Sequence, residues 1–401
     1  MQVLPYLAVE PSTAEILEEV IQGTTQKQKV WASAYRAAPQ RESIHSGVQI
    51  ASEPSEIQAV DDKLQVQTQD SHHVRVACAE LDMPPTAVHL AKRRGSLPGA
   101  NEASRGAWSI ALGTSRSQIE RYCIGGPDAQ LYVGEWDASS TNDNFKRPIP
   151  LAGHRADITN VRFFPSGEVV LSTSLDYQAR IYSAIDGSNP RILKGHTRAI
   201  YSSAVLGIGR EVITGSLDAT VKVWDVSRGD ATFTHATQDK SGVLSLEAQD
   251  TQLAYLGTES GHLSLLDLRL ISSSSQQNET QVTISNSPSP YNASGGVSAM
   301  AINGHRLACG TRSGVCAVYD VRHMHEPIVS FWRNTAEINH ISWKDQCVLI
   351  ATSDGLPYRC SLTPGVEEEY VGWDADSVDA IISDQHGNVV AIGGGDYTLY
   401  V

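Results

Sequence analysis

The chain is poor in several things, and each scarcity narrows what it can be. Methionine (4) is rare, while glycine (32) and serine are abundant; that balance suits short strands joined by tight turns better than long helices. The six cysteines, Cys78, Cys123, Cys309, Cys316, Cys347 and Cys360, contain no CxxC pair and no metal-like Cys/His spacing. They are expected to be reduced thiols, mostly on strands, with no metal bound. No apolar run is long enough to cross a bilayer. The N-terminus has no basic leader followed by an apolar stretch, so the expectation is a protein of the cytoplasm and nucleus. Basic residues are outnumbered, 31 to 45, for a formal net charge of −14. That excess disfavours nucleic acid and anionic membrane and favours a basic protein surface as partner. The HExxH, GxSxG and GxxxxGK[ST] patterns are missing, so no enzyme and no cofactor are expected.

What is present is a repeat. An apolar strand, a turn with Ser/Thr and Asp or Gly, and a strand ending in a large side chain recur along the chain. The ends fall at Trp136-Asp137, Tyr182-Ser183, Trp224-Asp225, Leu266-Asp267, Tyr319-Asp320, Arg359-Cys360 and Tyr400-Val401, in steps of 46, 42, 42, 53, 40 and 41 residues. A period of roughly 40–45 residues with Gly-His before the first strand and Trp-Asp at the third is the WD-repeat pattern. Gly153-His154 and Gly195-His196 supply the former, and residues 195–225 are the cleanest copy. Seven ends predict an all-β, seven-bladed WD-repeat β-propeller over 107–401, with a polar low-complexity insertion at 271–295 accounting for the long step.

The last blade has only three strands before the chain stops, and an unpaired edge is unfavourable. Its fourth strand is therefore expected from upstream: His72–Glu80, or alternatively Leu64–Thr68. Residues 1–82 read as a small α+β segment. In it Ser12 and Glu15 form a capping box, and Ile16, Leu17, Val20 and Ile21 line one helix face up to a stop at Gly23. Residues 83–106, with Pro84-Pro85 and many small side chains, read as a linker.

His196, Ser216 and Asp218 are the residue types of a hydrolytic triad. His154, Ser174 and Asp176 repeat them one period earlier. Duplication at the repeat period points to a structural bracket, completed by Tyr182 in one blade and Trp224 in the next, that gives a half-buried carboxylate its partners. Later blades lack the His, so weaker brackets are expected there. The glycine clusters at 207–209 and 393–395 fall between strands and read as hairpin turns.

Charge is uneven. Between Leu362 and Val401 there are eight acids and no Lys or Arg. Glu367, Glu368, Glu369, Trp373, Asp374 and Asp376 read as a partner-binding loop leading into the last blade, with Trp373 as an aromatic anchor.

The run from His154 to Ser172 (HRADITNVRFFPSGEVVLS), then Asp176, Lys194-Gly195-His196, and Gly209-Arg210 through Trp224-Asp225, resembles the proteasomal ATPase-associated factor family. The strong similarity covers about residues 150–227, and Trp31 to Tyr35 is similar to that family's N-terminal region. The resemblance implies a monomeric WD-repeat chaperone that binds the C-terminal domains of proteasomal AAA ATPase subunits and assists assembly of the regulatory-particle base. It carries over no individual partner-binding residue. The competing reading is another WD-repeat scaffold, such as a ubiquitin-ligase substrate receptor, though the N-terminal segment offers a single helix where such a receptor needs an adaptor-binding module.

Overall fold

The structure is a computed structural model that describes residues 2–36, 42–51, 56–99, 109–115, 117–140, 144–269, 279–283, 295–363, 365–372 and 376–400. Among these, seven antiparallel four-stranded units follow one another as blades of a propeller. Their inner strands are Ser109–Thr114, Ile158–Phe163, Ile200–Leu206, Val243–Ala248, Val297–Asn303, Ile338–Lys344 and Ala380–Ser383. Each inner strand touches the next, and the last touches the first, so the ring closes. The expected strand ends hold: Trp136, Tyr182, Trp224, Leu266, Tyr319, Arg359 and Tyr400 all lie on third strands. The six cysteines are free and sit on strands, five of them buried.

Five blades carry a β-bulge one residue into the inner strand, at Ile158/Asn160, Ile200/Ser202, Val243/Ser245, Val297/Ala299 and Ile338/His340. A bulge leaves one residue out of the ladder and bends the strand. Here the extra residues Thr159, Tyr201, Leu244, Ser298 and Asn339 line the central channel. Blades pack on one another through a second repeated device. A Cβ built on Gly125, Gly215, Gly257 or Gly310 of the second strand would come within 2.3 to 2.7 Å of the first inner-strand side chain of the next blade, Ile158, Val243, Val297 or Ile338. The glycines make room for β-branched neighbours, and the resulting interior is dry and close-packed.

The strand that completes the last blade corrects the sequence-based expectation. It is Arg93–Ser96, pairing antiparallel with Asp396–Tyr400 in the register Tyr397↔Gly95 and Leu399↔Arg93. It lies inside the stretch read as a linker. His73–Cys78 and Gln65–Thr68, the two candidates, instead extend the sixth blade. A four-residue strand with a glycine carries too little alternation to stand out, whereas Val74, Val76 and Cys78 alternate because they face the core of the N-terminal module. Met83–Leu90 is also a strand. It pairs antiparallel with His73–Cys78 and, through Ala87 to Leu90, in parallel with Val366–Val371, the outer strand of blade six. Pro84 and Pro85 precede that parallel ladder, where a missing N–H costs nothing. The low-complexity insertion likewise contains the outer strand of blade four, Glu279–Thr283.

The N-terminal module thus shares its sheets with the ring. Gln2–Val3 adds in parallel to the outer strand of blade five. Tyr6–Val9, Lys27–Arg36, Glu42–Ala51 and Glu56–Ala59 form a second sheet that closes with the helix Thr13–Ile21 over one apolar core. In the helix Ile16, Leu17 and Val20 are buried as expected, but Ile21 is exposed. Ser12 makes no side-chain cap, so the expected capping box does not form; the Thr13 hydroxyl donates to the Glu10 carbonyl at 2.5 Å and ties the first turn to the preceding strand.

Substitution of Gly310 by valine is expected to destabilise the propeller by about 1–3 kcal/mol, because its side chain would enter the space held by Ile338. Thermal unfolding checks this; an unchanged midpoint would mean that the blades have slack the packing does not suggest.

Candidate protein-interaction site

The repeated His/Asp pairs meet through side-chain hydrogen bonds, and the hydroxyl that joins them is not the one read from the sequence. His154 Nδ1 lies 2.9 Å from Asp176 Oδ2, and its Nε2 lies 2.8 Å from Ser172 Oγ. In blade three His196 Nδ1 is 2.8 Å from Asp218 Oδ2 and Nε2 is 2.8 Å from Thr214 Oγ1, which also accepts the Trp224 indole N–H at 2.8 Å. Ser174 and Ser216, named from the sequence, sit two residues further on. Their hydroxyls donate to the carbonyls of Ala156 and Arg198 and accept the N–H groups of Asp176 and Asp218. They tie the turn to the inter-blade loop without touching the imidazole. Tyr182 donates to the Ala152 carbonyl at 3.2 Å and so stands outside the Ser172–His154 chain, whereas Trp224 completes the Thr214–His196 chain. Both imidazoles are buried, and every polar atom of the constellation is committed to the scaffold. Burial pushes the Asp218 carboxyl up, but hydrogen bonds from His196, the Thr220 hydroxyl and the Thr197 N–H outweigh it and hold the group well below the usual carboxylate range. Asp176 is lowered for the same reasons.

Later blades are bracketed differently. In blade four the polarity is reversed: Asp239 occupies the entry-loop position and takes hydrogen bonds from Thr258 at 3.1 Å and His262 at 3.1 Å, with Ser260 also on the carboxylate. In blade six Asn334 donates to Asp354 at 2.6 Å, and Thr352 donates to the other oxygen at 2.6 Å.

The channel, a cavity of about 510 Å³, is walled by side chains that stitch neighbouring blades. Thr159 donates to Ile200 O at 2.5 Å, Ser245 to Val297 O at 2.7 Å, Ser298 to Ile338 O at 2.6 Å and Asn339 to Val378 O at 2.9 Å. Arg162 and Glu247 form an ion pair between blades two and four, which are not adjacent in the ring. Burial pushes the Glu247 carboxyl up and Arg162 opposes it. His340 is held neutral: burial lowers it to about 4. The sequence reading singled out none of these. Only the register of the inner strands, fixed by the bulges, brings them together.

The acidic run departs furthest from expectation. Glu367, Glu368 and Glu369 are not in a loop but on Val366–Val371, between the third strand of blade six and the N-terminal module. Arg359 lies opposite Glu368 in the ladder and contacts Glu367 at 3.1 Å and Glu368 at 2.9 Å. The Tyr370 phenol donates to Glu368 at 2.6 Å, and His89 lies 3.5 Å from it. Although burial raises it, these partners hold Glu368 down to about 2. Glu369 is 0% exposed and pairs with Arg333 at 3.0 Å. The Arg333 guanidinium is clasped between the rings of Tyr6 and Tyr358, at 4.7 and 4.5 Å. Burial pushes Glu369 up to about 7 against the pull of Arg333. Glu368, through His89, and Glu369, through Arg333, hold the N-terminal module on the ring, so the solvated, partner-facing role read for Glu369 is corrected. Asp376 is exposed; Trp373 and Asp374 lie outside the described residues.

Comparison with known proteins bears on the architecture and on part of the relationship. A family model for the WD domain, G-beta repeat, matches residues 146–183 and 187–225. A model for the β-propeller of the nucleolar protein 10-like N-terminal domain matches residues 210–362. The chain is a WD-repeat β-propeller protein. It is 38% identical over 100 residues to the 26S proteasome regulatory subunit RPN14 of Saccharomyces cerevisiae, across 25% of this chain and 22% of that protein. It is 26% identical over 214 residues to eukaryotic translation initiation factor 3 subunit I of Drosophila melanogaster, across 52% of this chain and 64% of that one. The chain thus spans about a fifth of the first relative and less than two thirds of the second.

Two outcomes follow from this geometry. Asp218→Ala is expected to cost roughly 2 kcal/mol near pH 7. Because the folded pKa is depressed, this stabilisation is complete above the carboxylate's unfolded value near 4. It fades as pH falls through the lower folded value, so denaturant melts of the two proteins should converge in acid. Arg333→Ala leaves a carboxylate buried alone and is expected to cost about 3–5 kcal/mol, whereas Arg333→Met with Glu369→Leu should recover most of it. Equal losses in the single and double variants would show that the pair is not the connection between module and ring.

Proposed function

We propose that this protein is a binding chaperone of the cytoplasm and nucleus that holds the C-terminal domain of proteasomal AAA ATPase subunits and assists assembly of the regulatory-particle base. The observation that supports it best is the partial similarity to a proteasome regulatory subunit, at 38% identity, in a chain whose His/Ser/Asp groups are spent on brackets. A ring stitched at its channel, with its first and last blades joined, is a stiff platform, and stiffness lowers the entropic cost of binding. With Glu367, Glu368 and Glu369 paired internally, the acidic contribution to a basic partner falls to residues such as Asp376, which is exposed. A scaffold role in another large assembly is the second reading, favoured by the longer similarity to a translation initiation factor subunit.

Affinity capture with the tagged full chain separates the two. Recovery of proteasomal ATPase subunits without the core particle is the expected result. Recovery of initiation-factor subunits or cullins in their place would overturn it. Asp376→Lys is expected to weaken ATPase capture severalfold at low salt and less at high salt.

A further inference from the structure

Among the described residues four acidic residues are buried: Glu120, Glu247, Glu369 and Asp384. A buried carboxylate is costly unless a counter-charge accompanies it. Arg162 does so for Glu247 and Arg333 for Glu369. Glu120 and Asp384, 8% and 7% exposed, form no ion pair among the described residues, and they lie together where blade seven meets blade one. Glu120 opens the strand Glu120–Gly125 of blade one. Its Oε1 accepts the Gln385 N–H at 3.3 Å, from the turn that follows Ala380–Ser383. Asp384, the first residue of that turn, accepts the N–H groups of His386 and Asn388 at 2.9 Å each, the Asn388 side-chain amide at 2.8 Å and the Trp136 indole at 3.4 Å. These bonds fix the Asp384 carboxylate and leave its charge. Burial pushes the Glu120 carboxyl up and the Asp384 charge adds to the push, while the Gln385 N–H and His386 oppose it.

Glu120 lines a cleft of about 800 Å³ along this seam, and Gln385, His386 and Asn388, which follow Asp384, line it too. The other acids of the lining are neutralised on the spot: Glu135 pairs with Arg147 at 2.9 Å and Asp137 with Lys146 at 3.6 Å. Lys92 is exposed and also lines the cleft, but the charged neighbours that act most on Glu120 are Asp384 and His386. Apolar surface comes from Ala138 and from Ile119, which is 37% exposed. The cleft therefore combines apolar wall with two buried carboxylates that the fold itself leaves without a basic partner.

We propose that this cleft takes an arginine side chain from a partner polypeptide, whose guanidinium supplies the counter-charge that Glu120 and Asp384 lack. Arginine suits the site better than lysine. Its planar fork can face two carboxylates at once, and a guanidinium is more weakly hydrated than an ammonium, so it gives up less on entering a half-dry site. Its methylene stem has Ile119 and Ala138 to lie along. A pair formed inside the cleft is screened by salt less than one on the open surface. The site is separate from Asp376, which is not in the lining, and it needs no ATPase subunit in order to be occupied.

Fluorescence anisotropy of a labelled hexapeptide of alternating arginine and alanine against the full chain tests this, with citrulline in place of arginine as the neutral control. Saturable binding of the arginine peptide is expected, with the citrulline peptide at least about tenfold weaker. Glu120→Gln should weaken the arginine peptide at least about tenfold. It should also raise the melting temperature of the free chain, because it removes a charge that burial disfavours; a carboxylate serving the fold would lower it when lost. Asp376→Lys changes the net charge by more, yet should alter affinity less than about threefold. That control separates the cleft from general attraction to an acidic protein and from the residue proposed to meet ATPase subunits. Equal affinity for the two peptides, a lowered melting temperature in Glu120→Gln, or a loss in Asp376→Lys matching that in Glu120→Gln would overturn the proposal.

Discussion

Closure of the ring by Arg93–Ser96 is the constraint on which the remaining architecture rests. A three-stranded last blade would leave Asp396–Tyr400 with a row of unpaired amides, an edge open to the wrong partner. Supplying the fourth strand from upstream ties the two ends of the propeller sequence together. Leu97, Tyr397 and Leu399 join Ile110, Trp136 and Phe145 of the first blade in one apolar cluster. It also fixes where everything before residue 93 must go. The chain runs straight from Met83–Leu90 into the closing strand, so the N-terminal module is delivered to the outer edge of blade six. Gln2–Val3 covers the edge of blade five in the same way. Arg333, between Tyr6 of the module and Tyr358 of the ring, with Glu369 alongside, sits at that junction.

The interior follows the same economy. At three of the five bulges the extra residue, Thr159, Ser298 or Asn339, gives a hydrogen bond to a carbonyl of the following blade, and Ser245, next to the bulged Leu244, does the same. What resembles a polar pocket is therefore largely a set of inter-blade bonds. The Arg162–Glu247 pair connects two blades across an intervening one. Such a core resists relative motion of the blades, because shifting one would break bonds to both neighbours at once. The property this confers is a fixed spacing of loops, which a binding surface uses.

Legibility in the sequence tracked the range of the signal. Strands and their order were readable because the repeat reports them several times over, and Trp224 and Tyr319 mark third strands wherever the surroundings vary. Which hydroxyl meets the histidine was not: Ser172 and Ser174 point to the same face of a strand, and composition cannot choose between i and i+2. Arg93–Ser96 was hidden because its identity as a strand is conferred by Asp396–Tyr400, some three hundred residues away (about the Ser96–Asp396 separation). Glu367 to Glu369 misled for a related reason. Three acids in a row look solvated, yet a strand sends alternate side chains to opposite faces, and here both faces are occupied, by Arg359 on one and Arg333 on the other. The hint was present in Tyr358-Arg359-Cys360, where an arginine stands near the third-strand aromatic, but its partner is set by a register that the sequence does not display.

Net charge deceives in the same way. An overall excess of acid suggests a uniformly negative surface, but several of the 45 acids are spent inside. Asp176, Asp218, Asp239 and Asp354 hold brackets, Glu247 holds the channel, and Glu368 and Glu369 hold the module. A hydrogen bond leaves a bracket aspartate its charge, whereas the arginine partners of Glu247, Glu368 and Glu369 offset theirs. Recognition by such a protein is decided by which carboxylates the fold has already used, and the sign of a face follows from that subtraction more than from the composition of the chain.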